Sequence, residues 1–403
     1  MDSNSNLKPK VAIIGSRGIP NKYGGFEGFT ERLSVEMVKR DCNVSVSCEG
    51  KRDVNCPKIY KGVNIFYFPL NPPQSSALRI FYEVFYDFYS LIWAARNVDY
   101  IYMLGYSAGI FFFIPHLFRK KLIVNPDGLE WKRSKFSSFI RTLLRINEKL
   151  MTLWADEIVA DSKELKDYLD AKYGTNSKFI PYGVVEYFES SWDADKLPEK
   201  LQGKITKNNY WLIVARLEPE NNIHTIIQGY LESKSELPLV VIGNYSSPKY
   251  QKLIEDTISQ KADDKKIIFT GGIYQPDLLE MLRKNCFAYL HGHSVGGTNP
   301  SLLEAMIKKN LILAHNNQFN REVCQDSALY FDSAQKLSKI MANTDLKSEE
   351  YLNLKYEAYY RVKKEYSWSN IVEDYMGLFS SQKPALQQNE VGSTVKAEVK
   401  YSK

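Results

Sequence analysis

The stretch that decides the fold is His291–Met306, which reads HGHSVGGTNPSLLEAM. The apolar residues 286–290 before it predict a short buried strand, and the apolar residues that close it predict the start of a helix. Pro300 suits the first helical position, and Asn299 or Thr298 suits the N-cap. Backbone N–H groups and the helix dipole attract phosphate at such a helix N-terminus. The stretch therefore predicts an α/β unit with a ligand loop at the end of its strand.

Two features of this stretch predict nucleotide binding. Gly296 and Gly297 leave the backbone free to approach a ligand closely. Glu304, one turn inside the predicted helix, offers a carboxylate that can accept hydrogen bonds from a sugar hydroxyl. Anion donors and a hydroxyl acceptor this close together suit the diphosphate and the ribose of a nucleotide. The alternative interpretation is an ordinary loop followed by a capped helix.

The length and composition predict a globular protein of two domains. The chain has 403 residues, more than one typical core supports, and its 44% hydrophobic and 25% charged content is ordinary for a soluble protein. The formal charge of +6 favours anionic ligands or an anionic membrane surface over nucleic acid. The five cysteines form no CxxC pair and no signal peptide is visible. We therefore expect a reduced, cytoplasmic protein.

Strands and helices alternate in both halves of the chain. The predicted strands are Val11–Ile14, Val44–Cys48, Val63–Phe68, Tyr100–Leu104, Leu122–Val124, Glu157–Ala160, Lys178–Ile180, Trp211–Ala215, Leu239–Ile242, Ile267–Phe269, Cys286–Leu290 and Leu311–Leu313. This alternation predicts mostly parallel sheets covered by helices, with ligand loops at the carboxyl ends of the strands. We predict two Rossmann-like α/β domains that face a central cleft, residues 1–183 and 184–380. Residues 381–403 are polar and predict a disordered tail.

A second ligand loop is predicted after the first strand, at Gly15–Gly25. Gly15 and Gly18 lie three apart, so the GxGxxG spacing is missing, and this disfavours a dinucleotide-dependent oxidoreductase. The loop still offers backbone N–H donors, with positive charge from Arg17 and Lys22. We therefore predict that Gly15 and Gly18 contribute to an anion-binding wall of the cleft.

Polar residues at the ends of predicted strands are candidates for the chemistry. Arg216 follows a strand, and its guanidinium can hold phosphate oxygens in a bidentate way. Asp127 follows another strand and could orient a reacting sugar or an acceptor hydroxyl, although an Asp-Gly turn is the plain alternative. His291 and His293 could form half of a metal site, but the sequence indicates no third ligand and no acidic pair nearby. We therefore predict a site without a metal ion and without a cofactor.

Two aromatic segments of the N-terminal half raise the question of membrane contact. They are Ile80–Trp93 and Ile110–Phe118, and the second runs into Arg119–Lys121. A transmembrane span over Tyr100–Phe118 has about the right length, but it contains Gly, Ser, Pro and His, and the fold needs a strand there. An aromatic and basic surface that rests on the inner leaflet, or burial of these aromatic residues in the core, are the other interpretations.

Four motifs together resemble the retaining family-4 glycosyltransferases of the GT-B fold, and specifically their rhamnosyltransferase branch. The motifs are VAIIGSRGIPNKYGGFE from Val11, NPDGLEWKRSK from Asn125, VARLEPENN from Val214 and the opening stretch from His291. The resemblance covers about Val11 to Met376, nearly the whole chain.

The resemblance implies that the C-terminal domain binds the donor. Glu304 matches the second glutamate of the family's E-x7-E motif, which grips the nucleotide ribose, whereas Gly296 stands at the position of the first. Arg216 matches the arginine that neutralises the donor diphosphate, and Asn221 stands where the family usually has a lysine. The rhamnosyltransferase branch shares both departures.

The resemblance also implies a front-face mechanism, in which a leaving phosphate oxygen takes the proton of the acceptor hydroxyl. Arg216, the Gly15–Gly18 amides and the helix that starts near Asn299 would stabilise the diphosphate, with Asp127 orienting the reacting groups. We assign acceptor binding to four residues in the first two motifs: Tyr23, Gly24, Gly25 and Glu130. Gly296, Gly297, Thr298 and Asn299 complete the donor site with Asn221 and Glu304.

The function that follows is transfer of L-rhamnose from dTDP-β-L-rhamnose to a lipid-linked saccharide during cell-surface polysaccharide biosynthesis. A GT-B enzyme that uses glucose, mannose or another sugar is one alternative. A non-catalytic scaffold that binds nucleotide sugars is another. Such an enzyme would work in the cytoplasm or on the inner face of the membrane.

Overall fold

The computed structural model describes residues 8–21, 25–54, 56–126, 128–132, 137–184, 191–259, 266–295, 297–344 and 348–379. The N-terminal strands are β1 Lys10–Ile14, β2 Asn43–Cys48, β3 Ile59–Tyr60, β4 Val63–Tyr67, β5 Tyr100–Leu104, β6 Lys121–Asn125, β7 Glu157–Ala160 and β8 Lys178–Phe179. The helices among them are α1 Gly25–Lys39, α2 Ser76–Asn97, α3 Ile114–Leu117, α4 Ser138–Trp154 and α5 Lys163–Tyr173.

The C-terminal half repeats the alternation. Its strands are β9 Trp211–Val214, β10 Leu239–Ile242, β11 Ile267–Gly271, β12 Ala288–His291, β13 Ile312–His315 and β14 Leu329–Phe331. Its helices are α6 Ile223–Glu232, α7 Pro248–Ser259, α8 Pro276–Lys284, α9 Pro300–Ile307, α10 Gln318–Cys324, α11 Ala334–Asn343, α12 Glu349–Glu365 and α13 Trp368–Leu378.

Each half forms one sheet, and the order of the strands fixes where a ligand can bind. The first sheet has the order β3-β4-β2-β1-β5-β6-β7-β8 and is parallel except for β3. The second sheet has the order β11-β10-β9-β12-β13-β14 and is parallel throughout. The order reverses between β1 and β5 and again between β9 and β12. In open α/β sheets the ligand crevice lies outside the carboxyl ends of the strands at such a reversal.

The strands form because their apolar runs are covered on both faces. Residues 11–14 of β1 are fully buried, as expected for a parallel sheet between two helix layers. Phe29, Leu33 and Met37 recur every four residues along α1 and are buried against the same sheet. The predicted pair of Rossmann-like domains is confirmed.

The last helix crosses back to the N-terminal domain. Helix α13 packs against α1, and the hydroxyls of Tyr375 and Tyr102 lie 2.8 Å apart between α13 and β5. The Arg40 side chain pairs with Glu373 at 3.1 Å. In the expected division into residues 1–183 and 184–380, α13 falls in the second range, yet it packs against helix α1 and strand β5 of the first; the division itself stays a prediction. The chain crosses between the domains at two places that touch, since the Val184 N–H donates to the Tyr366 carbonyl at 2.8 Å.

None of the described helices is long and apolar enough to cross a membrane. The transmembrane interpretation of Tyr100–Phe118 fails because this segment folds as β5, a short 3-10 turn and α3. Residues 380–403, which include the predicted tail, lie outside the described residues.

Candidate active site

A cleft lies between the two domains at the carboxyl ends of their strands. Its volume is about 340 Å³, and it is lined from the first domain by Gly128, Leu129, Lys132, Glu164 and Leu165 and from the second by Ser294, Val295, Gly297, Asn317, Gln318 and Phe319. A second cavity of similar volume lies at the amino ends of β1 and β2 and contains none of the predicted site residues. The cleft therefore joins the loop after β6 to the loop after β12, and of the predicted site residues in the described ranges Gly297 lines it.

Arg216 extends from the carboxyl end of β9. Its side chain is 69% exposed, and its Nη2 lies 3.1 Å from the Glu218 carboxylate. A guanidinium carries five N–H donors, so one carboxylate contact leaves it able to bind phosphate oxygens. The position and exposure of Arg216 fit the predicted role in binding a diphosphate.

Asn221 joins the loop after β9 to the loop after β12. Its Nδ2 donates to the Arg216 carbonyl at 2.8 Å, and its Oδ1 lies 2.9 Å from Nδ1 of His293. A Cβ atom at Gly292 would lie 2.1 Å from the Asn221 carbonyl oxygen, so the two loops touch at a glycine. Both ends of its buried amide bind protein groups, and a contact of Asn221 with the donor stays a prediction. Asn221 holds the Arg216 loop in place.

The N-terminus of α9 is fixed to the same strand end. The Ser301 hydroxyl donates to the Val214 carbonyl at 3.0 Å, and the Tyr289 hydroxyl donates to it at 3.1 Å. The Asn299 side chain caps the helix by accepting from the Ser301 N–H at 2.9 Å. Because this cap occupies the Ser301 N–H, that amide is not available to an anion. The helix dipole and the backbone N–H groups that precede the helix can still attract one.

The residues just before α9 contact the N-terminal domain. The Thr298 hydroxyl donates to the Asp161 carbonyl at 2.6 Å. A Cβ atom at Gly297 would lie 1.9 Å from Oδ1 of Asp161. The Lys163 N–H, at the start of α5, donates to both carboxylate oxygens of Glu322 at 3.0 Å. Gly297 lines the cleft, but the structure requires glycine there because of this contact between the domains, which sequence reasoning missed.

Glu304 lies one turn inside α9 and is paired with a buried arginine. Nη2 of Arg283 lies 2.6 Å from Oε2 of Glu304, whose side chain is one-third exposed. Arg283 also pairs with Glu280 at 3.0 Å, and Glu280 pairs with Lys308 at 2.8 Å. Desolvation raises the pKa of the Glu304 carboxyl, and the charge of Arg283 opposes this rise. The pair holds the carboxylate in one place on the helix, as a hydroxyl acceptor requires.

In the N-terminal domain, Gly15 lies where the strand order reverses. Its φ is +91°, and a Cβ atom would lie 2.2 Å from the Leu104 carbonyl oxygen, so only glycine fits between β1 and β5. Gly18 also has a positive φ, and its Cα faces Cys48 on β2. Glycine is therefore required at position 15 for packing against β5 and at position 18 for packing against β2, and anion binding by this loop stays a prediction.

Of the four predicted acceptor-binding residues, Gly25 and Glu130 lie in the described part of the chain. Gly25 begins α1, and outside its own helix no atom of the described residues lies within 4 Å of the place where its Cβ would be. Glu130 lies in a 3-10 turn next to the cleft, and its N–H donates to the Tyr106 hydroxyl at 3.0 Å. Tyr23, Gly24, Asp127 and Gly296 lie outside the described residues.

His291 ends strand β12, and His293 follows it two residues later. His291 is buried beside Tyr289, and its ring lies 6.0 Å from that of His293. Burial holds the pKa of His291 well below its usual range, and His293 and His315 lower it further. Within the described ranges, no group of three or more His, Cys, Asp or Glu side chains is placed to hold a metal ion.

The cleft also contains polar residues that the sequence did not indicate. Glu164 lies in the first turn of α5, and burial raises the pKa of its carboxyl while Lys132 opposes the rise. Asn317 donates to the His293 carbonyl at 2.8 Å and caps α10. These residues belong to no local motif, and only the meeting of the two domains brings them together.

Comparisons with known proteins agree with this architecture. Residues 196–359 match the family model "Glycosyl transferases group 1", and residues 8–185 match "Domain of unknown function (DUF1972)". A comparison with curated protein sequences finds no match.

Solved glycosyltransferase structures share the fold over nearly the whole chain. The Anabaena protein HepE in complex with UDP is 16% identical over 93% of this chain and 100% of that chain, with a TM-score of 0.69. Sucrose-phosphate synthase from Thermosynechococcus elongatus is 16% identical over 92% and 98%, with a TM-score of 0.74. The catalytic domain of Starch Synthase IV from Arabidopsis thaliana, bound to ADP and acarbose, is 11% identical over 92% and 98%, with a TM-score of 0.65. The predicted GT-B fold is confirmed.

Replacing Gly297 by alanine is expected to lower activity by up to about 10²-fold, because the added Cβ must displace Asp161 and shift the cleft walls. Gly377→Ala is the matched control, since outside its own helix no atom in the described part of the chain lies within 4 Å of the added Cβ. The measurement is kcat/KM beside a thermal unfolding curve. Equal activity of the two variants would show that the domain contact at Gly297 does not shape the site.

Proposed function

We propose that the chain transfers a sugar from a nucleotide donor with retention of configuration, because residues 196–359 match the family model of the group 1 glycosyl transferases. The donor is dTDP-β-L-rhamnose, and the acceptor is a lipid-linked saccharide of cell-surface polysaccharide biosynthesis. The enzyme works in the cytoplasm, on the inner face of the membrane.

One observation carries the nucleotide-sugar assignment. Arg216, the N-terminus of α9 and the fixed carboxylate of Glu304 all lie where the order of the second sheet reverses. These groups match the diphosphate and the ribose of a nucleotide. HepE in complex with UDP-glucose has the same fold, which supports a donor of this class.

The proposed chemistry needs positioning and charge stabilisation. The bond between the sugar C1 and the phosphate oxygen breaks, and the acceptor oxygen bonds to C1 on the same face. The acceptor proton passes to the leaving phosphate oxygen. Arg216 and the α9 dipole stabilise the charge that develops on the diphosphate. Asp127 orients the reacting hydroxyl from the loop after β6.

Rhamnose and glucose are the two candidate donor sugars. The four sequence motifs, with Gly296 and Asn221 at their unusual positions, favour rhamnose. The complexes of HepE with UDP and glucose favour a glucosyl donor. The decisive experiment is a panel of radiolabelled nucleotide sugars offered with a lipid-diphosphate-linked saccharide. Transfer from dTDP-rhamnose alone supports the proposal, transfer from UDP-glucose alone selects the alternative, and no transfer from any donor favours a binding scaffold.

Sugar transfer is expected to persist in excess EDTA. The charge on the leaving diphosphate is stabilised by Arg216 and the α9 N-terminus, which are fixed by the protein. Transfer is measured with chelator and again with magnesium, where at most a modest stimulation is expected. Complete loss in EDTA that one divalent ion restores would contradict this mechanism and reopen the case for His291 and His293 as ligands.

A further inference from the structure

Helix α4 carries an apolar stripe that faces away from the protein. Phe139, Leu143, Ile146 and Leu153 recur at intervals of four, three and seven residues, so they share one face of the helix. Their exposed fractions are 73%, 44%, 50% and 65%. The inward face of α4 is instead formed around Met151 and the buried Glu148 carboxylate.

The charges on the outside of α4 are positive. Arg145 and Lys149 are exposed next to the stripe. Glu148 is the helix's single acidic residue, and its carboxylate accepts from Trp131 at 2.8 Å and from Tyr173 at 2.6 Å on the inner side. An exposed apolar stripe with cationic flanks is typical of a helix that lies in the interface of an anionic membrane.

Neighbouring elements extend the apolar surface. Trp154 at the end of α4 lies 6.2 Å from the ring of Phe113, and Leu117 on α3 is 72% exposed. Helix α2 packs against α3 and exposes Phe81 and Phe85. The two aromatic segments noted in the sequence therefore contribute to both the core and the surface. Some of their aromatic side chains are exposed, whereas others are buried, among them Tyr82, Tyr86 and Phe112. Several exposed apolar side chains on neighbouring helices are typical of an interaction site.

We propose that the α4 surface, defined as Phe139, Leu143, Ile146 and Leu153 with Arg145 and Lys149, docks on an anionic lipid bilayer. Charge complementarity selects this occupant. Two copies of the chain that met across α4 would bring like charges together, whereas anionic headgroups pair with both cations.

The α4 surface adjoins the cleft. The Arg145 guanidinium lies 4.4 Å from the ring centre of Trp131, and Trp131 belongs to the 3-10 turn of residues 130–132. Leu129 and Lys132 in and beside this turn line the cleft. A saccharide carried by a lipid in the docked bilayer would therefore approach the cleft from the N-terminal domain. This last step rests on the proposed function, whereas bilayer docking itself does not require turnover.

The test is co-sedimentation of the full chain with vesicles of phosphatidylglycerol and phosphatidylcholine, and with vesicles of phosphatidylcholine alone. We expect binding to the anionic vesicles. The variant Leu143→Gln/Ile146→Gln should bind them roughly tenfold or more weakly, and Lys149→Glu should bind about fivefold or more weakly. The matched control is Leu253→Gln/Leu352→Gln, which replaces leucines of the C-terminal domain that are 45% and 41% exposed.

Each outcome decides a separate point. Absence of wild-type binding, or equal binding by the α4 variant and its control, would overturn the docking proposal. If the wild-type chain bound neutral and anionic vesicles equally well, the proposed pairing of Arg145 and Lys149 with anionic headgroups would be wrong. Concentration-dependent self-association that Leu143→Gln/Ile146→Gln abolishes would assign the surface to a second copy of the chain instead. Transfer to a water-soluble acceptor should survive in all variants, so failure of transfer with intact vesicle binding would count against the proposed function alone.

Discussion

Replacing Arg216 by alanine is expected to lower kcat by about 10²–10³-fold, the cost of removing one fixed donor to developing charge. The folded protein should lose little stability, because the side chain is 69% exposed and lies beside a single carboxylate, that of Glu218, in the described part of the chain. Arg216→Lys should recover only part of the activity, since it keeps the charge and loses the bidentate fork. The measurement is kcat and KM for the donor.

Lys336→Ala is the matched control for Arg216→Ala. Lys336 is a half-exposed cation of the same domain, 3.6 Å from the carboxylate of Asp332, and it lies on α11 and not in the loop after β9 that carries Arg216. Its loss should leave kcat unchanged. Full activity of Arg216→Lys, or equal losses in the two alanine variants, would show that Arg216 is a surface charge and not a ligand of the diphosphate.

The strands and the main helices follow from local pattern. The structure has strands Tyr100–Leu104, Glu157–Ala160 and Leu239–Ile242 with the predicted bounds. Parallel strands are covered on both faces, so their apolar runs stand out against the glycine-rich loops that follow them. The place of α13 could not be predicted, because its periodicity shows which of its faces is buried but not which domain covers that face.

The site is predictable where one motif contains it and not where distant segments meet. The capped helix at Asn299 and the glycine between β1 and β5 follow from local sequence. The contact of Gly297 with Asp161 and the use of Asn221 as a bridge depend on pairs from separate segments. Residue type alone suggested ligand approach at Gly297, which stays a prediction, and it could not show that close approach by Asp161 of the other domain also requires glycine there.

Glu304→Ala is expected to affect both the donor and the fold. Losing hydrogen bonds from the ribose to a charged group should cost about 1.5–3 kcal/mol of donor affinity. The same change removes one partner of Arg283, whose side chain is only 4% exposed. Leaving that buried donor less well paired should lower the free energy of unfolding by about 1–3 kcal/mol. A loss of activity in this variant alone would therefore not separate the two effects.

A double variant separates them. Glu304→Gln/Arg283→Met removes the buried cation together with its partner and leaves Glu280 paired with Lys308 at 2.8 Å. Since replacing a buried ion pair by groups of similar shape is often neutral for stability, the double variant should unfold near the wild-type temperature. Donor affinity in calorimetry should stay below that of the wild type, because the neutral amide oxygen of Gln accepts more weakly from the ribose hydroxyls than a carboxylate does. Recovery of donor affinity together with stability would mean that Glu304 acts through the fold and does not touch the nucleotide.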